Sequence, residues 1–493
     1  MQQPLLHLRF GGYVMLNAYP FKTSSDIAIS TNNEQVTYEQ LYAAVSARVQ
    51  YLRGLNAERV ALLADNCVEW VYFDLACQFA DCVLVPVPVF FSVEQREHLF
   101  NSADVQFVIT QRSEANPVTG FSVDVTPLSH GKEDALIPQG TAKITFTSGS
   151  TGAPKGVCLS FSAQFNVADS LAEAVNIQGV KHLAVLPLSL LLENIAGIYS
   201  PLLSGGQVIL ATAPERGFEG SRLANPERLL DLISSVQPNT LILVPELLQF
   251  LVVAASNGWQ PPSSLQFIAV GGGLVSSQLL TKARHLGLPA YQGYGLSECC
   301  SVVALNTPSN EDDTAVGACL KHNNVTIENN EIVVSGSHFL GYLNDADSFY
   351  PKQVATGDLG QFENGFLRIS GRRKHLIINS WGRNISPEWI EAELLASGAF
   401  QHVVVTGDAK PYLTALYSLA NPNIDRRYID AIFHAVNERL PDYARVFVWD
   451  AFPEMPSMQN GCLTATGKPV RQAISQYYDG TISPMYFKQY NQE

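Results

Sequence analysis

Short apolar runs alternate with segments of helical spacing along the first part of the chain. Residues 59–64 and 105–110 have the pattern of short buried strands, whereas residues 69–80 and 93–102 have apolar positions at helical spacing. Residues 36–42 also show helical spacing. Alternation of this kind predicts a parallel sheet covered by helices, and therefore an α/β fold.

A second alternating unit ends two of its strands in glycine. The apolar run at 265–270 leads into Gly271-Gly272-Gly273, and the run that begins at Ala290 leads into Gly293-Tyr294-Gly295-Leu296-Ser297-Glu298. Ligands of parallel sheets bind beyond the carboxyl ends of the strands. Both glycine turns are therefore candidate ligand-binding segments.

The pattern changes twice in the last third of the chain. Residues 306–370 show short alternating strands with Asn, Gly and Asp at the turns, which predicts a smaller antiparallel or barrel-like unit. Beyond Gly371 the β-α alternation resumes on a smaller scale. We therefore predict a large N-terminal domain of αβ sheet layers with a β-barrel part at 1–370, and a small α+β domain at 371–493.

Composition narrows the classes of function. A net charge of −14 argues against general nucleic-acid binding, which requires a basic field. The eight cysteines form no C-x-x-C pair and have no histidine spacing suited to zinc, so reduced thiols are expected. The first residues lack the features of a signal peptide, and no apolar window approaches the roughly 18 residues of a membrane span. These features favour a cytoplasmic protein.

A loop rich in hydroxyls and glycine separates two strand-like runs. It reads Thr147-Ser148-Gly149-Ser150-Thr151-Gly152-Ala-Pro-Lys155-Gly156 and combines four Ser/Thr hydroxyls with one lysine. Glycines let backbone N–H groups approach an anion, so the pattern favours a phosphate clamp, although an ordinary Ser/Gly-rich surface loop is the alternative. The common P-loop does not fit, because Lys155 is followed by another strand-like run instead of a helix.

Three more charged residues stand at turns. Glu298 is a candidate magnesium ligand or a helix-capping residue, and Asp358 in Thr356-Gly357-Asp358 is a candidate ribose ligand or a turn-capping residue. Lys468 follows Gly467 near the end of the chain, where a single lysine is usually only a solvated charge.

In combination these segments resemble the adenylate-forming superfamily, most closely the fatty acyl-CoA synthetases. The blocks are the clamp, Tyr294-Gly-Leu-Ser-Glu298, Thr356-Gly-Asp-Leu-Gly, Gly371-Arg372-Arg-Lys374 with Gly382-Arg-Asn-Ile-Ser-Pro, and Thr466-Gly-Lys468. The resemblance spans nearly the whole chain. It implies that a carboxylate attacks the α-phosphate of MgATP to give an acyl-adenylate and pyrophosphate, and that a thiol then displaces AMP.

The resemblance also implies roles for individual residues. Lys468 would reach the α-phosphate and the carboxylate, Glu298 would hold Mg²⁺, and Thr147 and Ser297 would contact the α-phosphate. The clamp residues Ser148, Gly149, Ser150, Thr151, Gly152 and Lys155 would hold the β- and γ-phosphates. The adenine would lie between Tyr294-Gly295 and Gly271, Gly272 and Gly273, and the ribose would contact Asp358 and Arg372. The small domain would rotate about a hinge at Lys374, after which Gly382 would leave room for a pantetheine arm.

The substrate acid is less sharply indicated. Pro187-Leu-Ser-Leu190-Leu-Leu-Glu193 resembles a Pro-Leu-x-His-x-x-Glu pattern of long-chain acyl-CoA synthetases, with Leu190 in place of the histidine. An apolar wall favours a fatty or other apolar acid, and the lack of a nearby aspartate disfavours an amino acid. Cys299 and Cys300 could line this pocket but are more often plain packing residues.

The sequence leaves open which molecule accepts the acyl group and whether the protein is an active ligase. Coenzyme A is the acceptor that the resemblance favours, and an acyl carrier protein, whose phosphopantetheine arm ends in the same thiol, is the second candidate; an amine acceptor is a third. A phosphotransferase or a catalytically silent nucleotide sensor would be a different class of protein. Lys155, Glu298 and Lys468 are all present, which favours an active acid–thiol ligase.

Overall fold

The fold is built from two large mixed sheets, followed by a smaller unit at the C-terminal end. The computed structural model describes residues 9–10, 13–14, 19–117, 119–128, 135–147, 154–464 and 467–486. Two short strands pair near the start, at Arg9–Phe10 and Tyr13–Val14.

The first sheet has seven strands and carries both ends of the predicted clamp. In spatial order they are Gly341–Tyr342, Lys155–Ser160, Thr141–Thr147, Val83–Pro86, Arg59–Leu63, Phe107–Gln111 and Val123–Pro127. The central pairs are parallel and both edges are antiparallel. Lys155 lies opposite Thr147 in the antiparallel pair, so the strand predicted after the clamp is present.

The second sheet has nine strands and ends at the two glycine turns. Its order is Ala318–Cys319, Ala304–Leu305, Ala290–Tyr294, Phe267–Val270, Thr240–Leu243, Lys181–Ala184, Gln207–Leu210, Ile27–Ser30 and Gln35–Thr37. The middle of the sheet is parallel. The carboxyl ends of Phe267–Val270 and Ala290–Tyr294 therefore lie side by side, which brings the glycine turns together.

Helices cover both sheets. They are Tyr38–Gly54, Val68–Ala80, Val93–Ser102, Phe161–Val175, Ser200–Leu203, Pro226–Val236, Pro245–Ser256 and Ser277–His285, with a π-helix at Glu193–Tyr199 and 3₁₀ turns at Ser297–Cys299 and Ala346–Ser348. Thr37 and Ser92 each begin a helix as part of a capping box, in which their hydroxyls accept from the backbone N–H of Gln40 and Gln95. The helices predicted at 69–80 and 93–102 are confirmed to within one residue at each end.

The region predicted to be antiparallel or barrel-like forms a four-stranded antiparallel sheet. Its strands are Asn323–Glu328, Glu331–Gly336, Val354–Glu363 and Phe366–Arg372. A two-stranded hairpin at Phe218–Glu219 and Arg222–Leu223 lies elsewhere, beside the second large sheet. The strand Phe366–Arg372 continues two residues past the boundary that we place after residue 370.

The C-terminal part has its own core. Its strands are Ile377–Ile378 with Asn384–Ile385, and the three-stranded sheet Phe400–Thr406, Leu413–Leu419 and Val446–Ala451; its helices are Pro387–Leu395, Arg426–Arg439, Arg471–Tyr477 and Asp479–Met485, with a 3₁₀ turn at Asp442–Ala444. Ile390, Phe433 and Leu413 are fully buried there. The α/β class, with a large N-terminal sheet domain and a smaller C-terminal one, is confirmed. Among the described residues, no helix combines the length and apolar character of a membrane span.

Candidate active site

A cavity of about 1510 Å³ lies beyond the glycine turns of the second sheet. Seven of the residues predicted from the sequence line it: Thr147, Gly271, Gly272, Tyr294, Gly295, Ser297 and Lys468. They come from both large sheets and from the C-terminal part of the chain. The fold thus assembles, in one place, segments that are more than three hundred residues apart in sequence.

Lys468 enters the cavity from the C-terminal part. Its Nζ donates to the carbonyl oxygen of Gly272, whose own backbone adopts a positive φ of 81° that favours glycine. Solvent still reaches the side chain, but protein encloses it on several sides, and this burial lowers the pKa of Lys468. The carboxylate of Glu246 opposes that shift, while the positive charge of Arg372 adds to it. The geometry places a cation directly above the glycine turn.

A buried carboxylate lies behind Tyr294. The Tyr294 hydroxyl donates to Asp358 Oδ2 over 2.7 Å, and Arg372 Nε donates to Oδ1 over 2.7 Å. Burial is the main cause that raises the pKa of Tyr294, so the phenol stays protonated and keeps its donor. The hydrogen bond to Asp358 raises the pKa of Arg372. Asp358 and Arg372 therefore form one hydrogen-bonded unit with Tyr294. Tyr294 lines the cavity, whereas Asp358 and Arg372 do not.

Glu298 and Lys155 meet at Tyr342. The Tyr342 hydroxyl donates to Glu298 Oε1 over 2.9 Å, and Lys155 Nζ lies 5.2 Å from the centre of the Tyr342 ring. Burial and the neighbouring Glu298 raise the pKa of Tyr342. Glu298 is half-buried, and one hydrogen bond leaves lone pairs on its carboxylate for a cation. A single carboxylate beside a phosphate-binding loop fits Mg²⁺, which prefers oxygen ligands and shares its coordination with substrate phosphates.

The remaining predicted residues neither line the cavity nor take part in the contacts of Asp358 and Glu298 described above. Ser148, Gly149, Ser150, Thr151 and Gly152 of the clamp fall outside the described residues. Gly273 is the last residue of its glycine turn and does not line the cavity, and Cys299 and Cys300 are buried as packing residues. Lys374 and Gly382 do not line the cavity either. Gly382 has a positive φ of 71° and follows the exposed Trp381.

The wall of the cavity next to the second sheet contains a histidine that the sequence pattern did not reveal. Leu190, Leu192 and Ala196 make this wall largely apolar, but His182 also lines it. His182 Nε2 lies 2.7 Å from Glu193 Oε1, its Nδ1 lies 3.0 Å from Thr240 Oγ1, and the second Glu193 oxygen accepts from the Leu186 N–H. In the sequence, Glu193 is marked only as the end of the segment 187–193, and His182 only as a histidine at the start of an apolar strand.

Comparison with known protein families identifies the class of enzyme. The model of the AMP-binding enzymes matches residues 18–341, and the model of the AMP-binding enzyme C-terminal domain matches residues 374–490. The chain belongs to the AMP-binding enzymes. The resemblance to the adenylate-forming superfamily is thereby confirmed.

Individual relatives of this AMP-binding enzyme agree with that assignment. A 2-succinylbenzoate–CoA ligase of Bacillus velezensis is 30% identical and covers 79% of this chain and 83% of its own length. The enzyme of the same name from Staphylococcus epidermidis is 29% identical over 91% of this chain and 94% of its own. A solved Bacillus subtilis O-succinylbenzoate coenzyme A synthetase, in complex with ATP and magnesium, has a TM-score of 0.71 and 25% identity over 90% of this chain and 96% of its own. An anthranilate CoA ligase, at 17% identity and a TM-score of 0.76 over 92% and 94%, shares the fold.

These findings decide several of the sequence-based expectations. The expected class of AMP-forming acid–thiol ligase, with ATP, Mg²⁺ and a coenzyme A-type thiol, is confirmed. The expected fatty acid, and with it a place in fatty acid metabolism, finds no support, because these relatives are named for aromatic acids. An acyl carrier protein as acceptor finds no support in them either.

Proposed function

We propose that this enzyme joins an aromatic carboxylic acid of the 2-succinylbenzoate type to coenzyme A by way of an acyl-adenylate. The observation that carries the proposal is the position of Lys468, whose ammonium group projects into a cavity bounded by the glycine turn at Gly272 and by Thr147. A cation at that point stabilises the negative charge that develops in the transition state, when a carboxylate attacks the α-phosphorus of ATP. The names of the relatives supply the class of acid.

We propose a role for each side chain around the cavity. Lys468 brings the carboxylate and the α-phosphate together, and the hydroxyls of Thr147 and Ser297 donate to the α-phosphate. Glu298 holds the magnesium ion, which neutralises charge on the leaving pyrophosphate. The unit of Tyr294, Asp358 and Arg372 fixes the nucleoside side of the cavity.

The reaction then has two balanced steps. A carboxylate oxygen forms a bond to the α-phosphorus, and the bond from that phosphorus to the pyrophosphate oxygen breaks. The thiolate of coenzyme A next forms a bond to the acyl carbon, and AMP leaves with the oxygen that came from the acid. Lys468 serves the first step, and we assign the Gly382 loop to the second, after a rotation near Lys374.

An aromatic acid with a second charge suits the residues that line the cavity. Its apolar wall at Leu190, Leu192 and Ala196 suits a benzene ring. 2-Succinylbenzoate carries two carboxylates. While one of them is activated by ATP, the other stays negatively charged and needs a cation beside it. Arg222 is exposed at the edge of the cavity, whereas the buried guanidinium of Arg216 is occupied by Asp65 at 2.9 Å. We assign the second carboxylate to Arg222.

The test is acid-dependent release of pyrophosphate from MgATP, measured with 2-succinylbenzoate, benzoate, decanoate and phenylalanine. We expect the highest kcat/KM with 2-succinylbenzoate and formation of its coenzyme A thioester. A higher kcat/KM with decanoate would contradict the aromatic acid and indicate a fatty acid as substrate. Transfer to holo acyl carrier protein in preference to coenzyme A would contradict coenzyme A as the acceptor.

A pair of variants tests the second carboxylate. Arg222→Gln should raise the KM for 2-succinylbenzoate about tenfold, equivalent to a charge-assisted hydrogen bond of about 1.5 kcal/mol, and should leave benzoate unaffected. Arg228→Gln is the matched control, because Arg228 is an exposed arginine nearby that does not line the cavity. Equal changes for both acids would contradict the role assigned to Arg222.

A further inference from the structure

A fully buried ion pair links the strand before the clamp to helix Val68–Ala80. Lys143 lies in the middle of strand Thr141–Thr147, and its Nζ is 2.7 Å from Asp74 Oδ1; both side chains are fully excluded from solvent. Burial lowers the pKa of Lys143, and the charge of Asp74 opposes that shift. Nothing in the reaction described above uses this pair.

The pair holds two side chains of the π-helix Glu193–Tyr199. Lys143 Nζ donates to Tyr199 Oη over 3.0 Å and also to Asn194 Oδ1. Tyr199 and Asn194 in turn donate to Asp74 Oδ2, over 2.6 and 3.1 Å. The four side chains form a polar network inside the core, to which the Gln78 amide adds a longer hydrogen bond to Tyr199 Oη of 3.5 Å.

The spacing of these two residues matches the π-helix. Asn194 and Tyr199 are five positions apart, which is the interval that a π-helix closes with its i→i+5 hydrogen bonds. In an α-helix residues at this interval point in different directions, since only positions three or four apart share a face. Simultaneous contact of both with Lys143 therefore favours the π form over the α form.

The other side of the π-helix forms the wall of the acid cavity. Ala196 lines the cavity, and Glu193 holds His182 in the same wall. Gly197 makes this possible, because a Cβ there would lie 2.2 Å from Glu193 Oε1 and 2.7 Å from His182 Nε2. The helix thus connects Lys143 on one side to the substrate wall on the other.

The energetics indicate what the ion pair contributes. Replacing a buried ion pair by apolar residues of similar volume often leaves stability unchanged or increases it. Removal of one partner alone leaves an unpaired charge in the core and lowers stability. Stability alone is therefore a weak reason for this pair. Buried polar side chains that bond to one another favour one arrangement of the elements they join.

We propose that Lys143, together with Asp74, holds residues 193–199 in the π form and thereby positions the wall that binds the substrate acid. Lys143 is a positioning residue. Its effect on binding of the acid rests on the proposed function of the cavity, whereas its effect on the form of the helix is independent of that function.

The test replaces both charges at once, so that neither is left unpaired. Asp74→Leu with Lys143→Met should raise the KM for 2-succinylbenzoate about tenfold and leave the KM for MgATP within about twofold. The thermal midpoint of unfolding should fall, because the buried Tyr199 hydroxyl and Asn194 amide lose Asp74 as their acceptor. The matched control is Arg48→Met with Glu69→Leu, a buried pair with an Nη2–Oε1 distance of 2.6 Å that does not line the cavity. Glu69 lies on the same helix as Asp74, and Arg48 lies on helix Tyr38–Gly54. An unchanged acid KM in the first variant, or an equal rise in the control, would overturn the proposal.

Hydrogen–deuterium exchange of the ligand-free protein supplies a readout that does not depend on the acid. The amides of residues 193–199 should exchange about tenfold faster in the Asp74→Leu, Lys143→Met variant than in the parent and the control. Unchanged exchange would overturn the proposal even if the acid KM rises. Lack of activity of the parent with 2-succinylbenzoate would refute the proposed substrate only, and the exchange rates would still decide the role of Lys143.

Discussion

Replacement of Lys468 by alanine should slow adenylation strongly while ATP binding persists. The ammonium group lies at the Gly272 carbonyl inside the cavity. A unit charge about 4 Å from another is worth about 4 kcal/mol at an effective dielectric constant of about 20. Only part of a charge develops in the transition state, and loss of one such donor typically costs about 10²- to 10³-fold in rate. We therefore expect Lys468→Ala to slow acyl-adenylate formation by about that factor.

The assay separates chemistry from binding. Single-turnover formation of the acyl-adenylate gives the rate, and calorimetric titration gives the affinity for MgATP, which should change little because the clamp remains. Lys282→Ala, a lysine on the exposed side of helix Ser277–His285, is the control. Because burial lowers the pKa of Lys468 and only the protonated amine carries the charge, the parent rate should fall with rising pH below the ordinary lysine range. The variant should lack that decline. A variant rate within about fivefold of the parent would refute the role of Lys468.

Three further substitutions test other parts of the chain. Gly382→Leu should slow thioester formation from supplied acyl-adenylate more than adenylate formation, because the position has a positive φ of 71° and leads the loop assigned to the thiol step; equal loss in both half-reactions would contradict the assignment. Gly197→Ala should lower the free energy of unfolding by about 1–3 kcal/mol and raise the acid KM, since its Cβ overlaps Glu193 and His182; denaturant titration showing parent stability would contradict this. Glu388→Gln should remove about 1–2 kcal/mol of stability near neutral pH. Burial opposes ionisation of Glu388, but the hydrogen bond from His375 and the charge of Arg471 outweigh it and lower its pKa from 4.5 to about 2. The contribution of Glu388 is complete above pH 4.5 and is lost as the pH falls through about 2, so the stabilities of parent and variant should converge there; a constant difference down to pH 2 would count against it.

The general architecture could be predicted because it depends on local patterns. Apolar runs of four to seven residues between amphipathic segments were sufficient for the strands that flank the clamp and for the helices Val68–Ala80 and Val93–Ser102. The glycine turns could be predicted as site elements for the same reason, since strands that end in glycine at one sheet edge bring those turns together. Gly272, Tyr294 and Ser297 do lie in one cavity.

The buried polar pairs could not be predicted, because they depend on long-range packing. Lys143 and Asp74 are 69 positions apart, and a lysine in an apolar strand is usually read as pointing to solvent. Glu193, the partner of His182, is the first residue of a π-helix, whose period no apolar pattern reveals. The expectation of a fatty acid, which the relatives do not support, rested on Leu190 and an apolar wall, whereas His182 and Thr240 enter that wall from other elements, and His182 contacts Glu193.

Transfer of oxygen from the acid to AMP tests the central claim most directly. The parent enzyme would be incubated with MgATP, coenzyme A and 2-succinylbenzoate labelled with ¹⁸O in its carboxylates, and the nucleotide products would be analysed by mass spectrometry. Attack of the carboxylate on the α-phosphorus predicts one ¹⁸O atom in AMP, together with unlabelled pyrophosphate and the coenzyme A thioester. Formation of ADP with the label in inorganic phosphate, or of AMP without label, would contradict activation of the acid as an acyl-adenylate.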